Sequence, residues 1–260
     1  YCSSLSWGGL ELNFCRYAIN LLFKGYYVKI YCVKNSPIAN FILKNNNDVV
    51  FVDRNRKYFD FVNAYRVYRK LKKENIDILW LRAPRDVIIA GIIKTFTFFK
   101  IKIIYQQAMQ LSTRKKDIFH TIRFAKINAW LTPLNYLAVQ IKELTYFNPA
   151  KIHIIPLAVK KPADKSLTSL KARNLLNIPT DKFVIGIIGR IDVLKNQLFL
   201  IKALKLIKEE NPDSILLIVG DVTKEQNNDY LKLLHQTCVD LNLTDFVHFR
   251  PYIENIDVFY

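Results

Sequence analysis

Two short segments carry the residue types that chemistry on an anion requires. The first is Ser6-Trp7-Gly8-Gly9-Leu10-Glu11. Paired glycines directly before a helical run let the backbone approach a ligand closely. The free N–H groups and the positive end of the helix dipole then favour phosphate or another anion. The same residues also make an ordinary flexible turn, and the pattern by itself leaves both readings open. The second segment is Gly189-Arg190-Ile191-Asp192-Val193-Leu194-Lys195-Asn196-Gln197, between a β-branched apolar run and a helical one. Gly189 opens room at the carboxyl end of a strand, where open α/β sheets bind ligands. Arg190 brings a planar fork and Lys195 a mobile point charge, five residues apart in one loop. Together they suit a diphosphate, whose charge must be neutralised as it departs. Two merely solvated surface charges are the alternative.

Strands must end, and helices begin, where these segments stand. Helical periodicity covers residues 10–24, 37–45, 60–74, 86–99, 118–126 and 135–146. Between them, β-branched runs occupy 27–33, 49–52, 78–81, 101–105, 129–131 and 152–155. Gly25 supplies a helix stop and Asp60 a helix N-cap. After a connector rich in Lys, Ser, Pro and Asp the pattern restarts, with strands at 183–188, 214–219 and 247–249 and helices at 197–210 and 225–241. The runs FVIGII and SILLIV read as buried strands. Strands separated by helical runs predict βαβ units on parallel sheets, so the fold class is α/β. The expected division is a first domain over 1–156, a connector over 157–181 and a second domain over 182–260. Three strands are few for a doubly wound domain, and the first region opens on a loop and helix as though a strand were missing. The chain reads as a fragment of a longer protein, cut at both ends.

A hydrophobic content of 51% with only 7 Gly and 9 Pro excludes a disordered, collagen-like or small disulfide-stapled chain. Cys2, Cys15, Cys32 and Cys238 lack C-x-x-C spacing, so neither disulfides nor zinc are expected, and a reducing, cytoplasmic compartment is the default. No two of His120, His153, His235 and His248 stand at metal-ligand spacing. His153 and His248 fall within strands and read as core or strand-surface residues, and His235 falls in a polar helix and reads as solvated. The opening YCSSLSWGGLE has no signal-peptide pattern. The apolar stretch 87–99 is broken by Lys94 and is too short to span a bilayer. The net charge is +17, with 26 Lys and Arg against 9 Asp and Glu in residues 1–160, and 13 of each in residues 161–260. The surplus therefore sits entirely in the first region, and a surplus that large implies a polyanionic neighbour.

The order of the whole resembles the retaining glycosyltransferases of the GT-B fold, specifically the large GT4 family, glycosyl transferases group 1. The matching segments are WGGLELNFCRYAINLLFKGYYVKIY, KIHIIPLAV, VIGIIGRIDVLKNQLFLIKALKLIKEENPDSILLIVGD and LTDFVHFRPYIENIDVFY. The third is the most specific, because residue types, spacing and strand–loop–helix order all agree. The resemblance implies two Rossmann-like domains facing each other across a cleft, the second incomplete here. It implies a nucleotide-diphosphate sugar as donor, bound mainly by the second domain, and an acceptor on the first. Arg190 and Lys195 match the family's diphosphate-binding pair, and Gly8 and Gly9 its loop over the donor phosphates. Gly189, Gly220, Arg250, Tyr252 and Ile253 match the nucleotide pocket.

Four departures stand beside the match. Leu157-Ala158 replaces a frequent Asn-Gly pair, and Asn196 a frequent glycine. Gln106 or Gln107 stands where a histidine is common; a glutamine hydrogen-bonds a sugar hydroxyl but does not exchange protons near neutral pH. The paired glutamates of an E-x7-E motif would fall just beyond Tyr260, so this fragment alone is expected to turn over little or nothing.

The expected activity is transfer from a nucleotide-diphosphate sugar to a saccharide or lipid-linked acceptor in cell-surface polysaccharide synthesis. Anomeric configuration is retained, and no metal or other cofactor is expected. His120, after a basic loop, is placed to approach the acceptor. The competing reading of the charge is a basic nucleic-acid-binding protein. Against it, no known nucleic-acid module appears and the aromatic residues fall on faces expected to be buried. A non-catalytic sugar-nucleotide-binding fragment is a third reading. Peripheral docking at the inner face of an anionic cytoplasmic membrane explains the uneven charge better. Its contacts would be Arg54-Asn55-Arg56-Lys57, the basic face from Arg66 to Lys73 and Arg114-Lys115-Lys116, with the apolar 87–99 run beside them.

Overall fold

The computed structural model describes residues 1–55, 60–97, 100–158, 167–222, 228–251 and 256–259. The chain divides into two compact α/β units, Tyr1–Ala158 and Val159–Tyr260.

The first unit runs α1 (Gly9–Phe23), β1 (Ile30–Val33), α2 (Pro37–Lys44), β2 (Val49–Val52), α3 (Phe61–Lys73), β3 (Ile78–Leu81), α4 (Asp86–Phe96), β4 (Lys102–Gln106), α5 (Ile118–Ala125), β5 (Ala129–Thr132), α6 (Asn135–Leu144) and β6 (Ile152–Ile154). All its strand pairs are parallel, in the orders β1-β2 and β3-β4-β5-β6. Asp60 caps α3 as expected, its side chain accepting from the Asn63 N–H. The strand expected over 27–33 is shorter, and the segment before α1 is not a free loop. Cys2 pairs parallel with Cys32, its N–H donating to the Tyr31 carbonyl at 3.0 Å. Tyr1, Cys2 and Ser3 are all buried there. Pairing this short leaves no periodic pattern to read.

Asp86, at the start of α4 and fully buried, ties this corner together. It accepts from Ser3 Oγ at 2.5 Å, from the Ser3 N–H at 3.1 Å and from Asn55 Nδ2 at 2.6 Å. Asn55 Oδ1 in turn accepts from the Tyr1 hydroxyl and from Asn63 Nδ2. Burial pushes the Asp86 carboxyl up to about 6, with the Ser3 and Asn55 bonds pulling the other way. Further along the sheet, the fully buried Trp130 makes edge-on contacts with Tyr105, Phe124 and Phe147 at 4.8–5.1 Å. Such pairs contribute about 0.5–1.5 kcal/mol each beyond area burial, and they pin α5 to the sheet.

The second unit runs α7 (Ser169–Leu175), β7 (Phe183–Ile188), α8 (Gln197–Glu210), β8 (Ser214–Val219), α9 (Asp229–Asp240) and β9 (Val247–Arg250). Its sheet is parallel with order β7-β8-β9. The central β8 is buried along its whole length, as SILLIV predicts. FVIGII does not follow: β7 is half-buried at best and Phe183 is 57% exposed. An edge position among the described strands accounts for the difference. Helix α7 stands inside the segment expected to be a connector. Thr168 caps it, accepting from the Lys171 N–H, and Leu176 and Ile178 just beyond it pack under β8.

The left-handed backbone positions show a regularity. Every described non-glycine residue with positive φ is an asparagine: 35, 46, 75, 177, 196 and 242. Asn46, Asn75, Asn177 and Asn242 stand one residue beyond the caps of α2, α3, α7 and α9, and the next N–H bonds back into the last turn in each case. This is the helix stop usually made with glycine. Gly25, at φ +83°, makes it after α1.

Candidate functional site

In the second unit, the three strands deliver the sequence-selected residues to one end of the sheet. Gly189 follows β7, Gly220 follows β8, and Arg250 closes β9. The ladder continues past the strands: the Gly189 N–H donates to the Val219 carbonyl and the Gly220 N–H to the Arg250 carbonyl, both at 2.9 Å, and the Ile191 N–H to the Asp221 carbonyl at 3.1 Å. Gly189 and Gly220 both have positive φ, +155° and +145°. Their backbones press together so closely that a Cβ on Gly220 would lie 1.9 Å from the Gly189 oxygen.

The loop leaving Gly189 is held by its own side chains. Buried Gln197 donates to the Arg190 carbonyl at 2.8 Å, and Asp192 accepts from the Leu194 N–H at 2.8 Å. The Lys195 stem folds back over Gly189, its Cε 3.8 Å from where a glycine Cβ would be. Asn196, where relatives often have glycine by the resemblance, adopts φ +59° and opens α8. Asparagine tolerates that left-handed angle, so this departure from the pattern costs little. Arg190 and Lys195 are both exposed, flanking the Gly189 backbone at the amino end of α8. Two cationic residues and a helix N-terminus therefore stand in one loop at the strand ends, a combination whose chemistry suits an anion. Tyr252 and Ile253 lie outside the described residues.

In the first unit, Gly8 is the N-cap of α1 with extended backbone, and Gly9 has open space around it. Glu11 occupies the same end of the helix: its Oε1 accepts from Ser4 Oγ at 2.8 Å, and its Oε2 lies 3.6 Å from where a Gly8 Cβ would be. An anion arriving here would share the helix terminus with that carboxylate. Gln106 ends β4, Gln107 follows it, and both are buried. The Gln107 amide is already occupied, its oxygen accepting from Trp130 Nε1 at 3.0 Å and its nitrogen donating to the Met109 carbonyl at 2.6 Å. Gln107 therefore positions the loop after β4.

That loop borders a cavity of about 1090 Å³ between α4 and α5 at the carboxyl ends of β3 and β4. His120 lines it, its Nδ1 2.5 Å from the Asp117 carboxylate that caps α5. Arg82 lines it as well, and sequence reasoning passed over this residue. The signal was present: ILWL followed directly by Arg repeats the strand-then-arginine order of Gly189-Arg190. His153 is exposed on β6, as a strand-surface residue, and His248 is half-buried on β9, where burial lowers its pKa. His235 is exposed, with its ring 4.2 Å from that of Phe249. The aromatic residues do not all lie on buried faces: Tyr26, Tyr27, Tyr65, Phe96 and Phe119 are exposed. They fall at helix ends and outer faces, where the alternation of strands gives no guide.

Residues 169–260 match the family described as glycosyl transferases group 1. The UDP-Gal:alpha-D-GlcNAc-diphosphoundecaprenol alpha-1,3-galactosyltransferase of Escherichia coli is 28% identical over 233 residues, covering 83% of this chain. The chain spans 58% of that relative's length. Among solved structures, a glycosyltransferase from Rickettsia africae superposes with TM-score 0.81 at 19% identity, covering 100% of this chain and 69% of its own. Anabaena HepE, in complex with UDP and glucose, superposes with TM-score 0.79 at 16% identity, with 99% and 69% covered. Residues 169–260 are therefore a glycosyl transferases group 1 domain, carried by a chain whose parallel α/β units have the GT-B fold of glycosyltransferases.

Proposed function

We propose that the chain is the larger part of a retaining, metal-independent glycosyltransferase. It moves a hexosyl group from a nucleotide-diphosphate sugar to a saccharide or lipid-linked acceptor in cell-surface polysaccharide synthesis. The observation that carries this reading is the convergence of Gly189, Arg190, Lys195 and Gly220 at the strand ends of the matched domain. The cations would neutralise the departing diphosphate, which is where charge grows in the transition state. Support also comes from the Escherichia coli relative, whose name specifies a UDP-sugar and a diphospholipid acceptor, and from HepE, which holds UDP. The test uses the protein encoded by the whole gene with a panel of nucleotide sugars and saccharide and lipid-linked acceptors, read by mass spectrometry and NMR. One donor is expected to give product with unchanged anomeric configuration, at the same rate in EDTA. An inverted product, or no transfer from any donor, would refute it.

The first unit is the proposed acceptor side, docked peripherally at the inner face of the cytoplasmic membrane. Arg66, Arg69, Lys72 and Lys73 are exposed on α3, and Arg114 is exposed before α5. Among the described residues, no helix is long and apolar enough to cross a membrane. Basic side chains near an anionic leaflet contribute about 1 kcal/mol each. Co-sedimentation with anionic liposomes at low salt is expected, with little on neutral ones. Equal binding to both would sink the membrane proposal.

A further inference from the structure

Arg82 is 6% exposed, and its Nε, Nη1 and Nη2 have no hydrogen-bond partner. A guanidinium keeps its charge in a protein, and burying one unpaired is costly. Burial indeed pulls its pKa down. The residue lines the cavity at the carboxyl end of β3, its nitrogens buried just behind the wall, with Arg85 and Lys115 also on that wall. A buried cation without a hydrogen-bond partner, with further basic residues on the same wall, suits an anion.

One wall of the cavity asks for hydrocarbon. Val87, Ile88, Gly91, Ile92, Thr95 and Phe96 repeat at three- and four-residue spacing, so one face of α4 forms a wall. Phe119 and Ile122 of α5 stand on the cavity lining as well. Phe96 is 66%, Phe119 70% and Ile122 54% exposed, so this lining continues onto the surface. Apart from Thr95, whose hydroxyl already donates to the Gly91 carbonyl, these side chains offer a saccharide or a nucleobase no hydrogen bonds. A volume of about 1090 Å³ lies just above the ~300–1,000 Å³ usual for ligand sites, enough for an extended chain.

We propose that this cavity binds a long-chain lipid diphosphate, with the phosphate on Arg82 and the hydrocarbon along the α4–α5 trough. The proposal rests on the glycosyltransferase reading only in that it selects the lipid-linked acceptor over a free saccharide. Charge and apolarity are both needed, which separates this ligand from free diphosphate and from a neutral prenol.

The purified protein is titrated with farnesyl diphosphate, farnesol and inorganic diphosphate, following the fluorescence of Trp130, which lines the cavity. Farnesyl diphosphate is expected to bind about tenfold or more tightly than either part alone. Arg82→Gln should weaken it about tenfold, the scale of one charge-assisted hydrogen bond. Ile122→Glu, at a position exposed enough to leave folding intact, should weaken the lipid similarly and leave inorganic diphosphate unchanged. Thermal melting of both variants controls for folding. Inorganic diphosphate binding as tightly as the lipid would reduce the site to a plain anion pocket, and farnesol binding as tightly would reduce it to a plain groove. Either result, or unchanged lipid binding by Ile122→Glu, overturns the proposal. Binding is read without donor, so absent sugar transfer contradicts the enzyme reading alone. Transfer to a lipid-linked acceptor that neither variant slows contradicts this site alone.

Discussion

Gly220→Ala is expected to collapse the ligand end of the second unit. The added Cβ would sit 1.9 Å from the Gly189 oxygen and 2.8 Å from its carbonyl carbon. Both are backbone atoms in the continuing ladder, so no side chain can swing aside. The strand ends must separate, losing the 2.9 Å bonds from Gly189 to Val219 and from Gly220 to Arg250. The φ of +145° adds strain for any L side chain. A loss on the order of 4 kcal/mol or more is expected, lowering the melting midpoint by about 10 °C for a protein of this size. Gly8→Ala is the control. Its backbone is extended and its nearest contact an ordinary 3.6 Å, so its melting should shift by no more than about 1 kcal/mol equivalent. A Gly220→Ala protein that melts with the wild type would refute the close approach.

Lys195→Ala is expected to do the opposite: leave stability alone and remove activity. The side chain is exposed, so truncation should change stability by about 0.5 kcal/mol or less. Its stem lies over Gly189, beside Arg190, whose backbone is fixed by Gln197. Removing one preorganised charge from a departing diphosphate should lower kcat/KM about 10²–10³-fold, with Arg190→Ala in the same range. The two act on one group, so the double variant should fall short of the product of the singles. Steady-state kinetics on the whole-gene protein measure all three. Unchanged kinetics in Lys195→Ala would remove the diphosphate assignment.

What could be read in the sequence was what neighbouring residues decide. The Gly189-to-Gln197 loop lies within nine consecutive residues, and its strand and helix are adjacent in the chain. SILLIV and FVIGII, by contrast, look alike in sequence, yet one is central and the other an edge, because pairing order is a long-range property. The Lys, Ser, Pro and Asp content of the connector made the α7 segment look like a linker, masking the Leu176 and Ile178 contacts that anchor it. Gln107 looked free for chemistry because its partner, Trp130, is 23 residues away. For Arg82 the sequence shows only an arginine at a strand end; that its buried nitrogens have no hydrogen-bond partner is set by the fold around it.

The asparagine stops set apart the few glycines that this chain keeps. With seven glycines in 260 residues, the chain assigns ordinary left-handed turns to asparagine at φ between +50° and +59°. Gly189 and Gly220 sit near +150°, in a region that asparagine does not reach. A glycine retained in such a chain is therefore informative in a way that a glycine in a glycine-rich protein is not. Gly25, doing work that asparagine does four times elsewhere, is the interchangeable one; the pair at the strand ends marks where two backbones must touch.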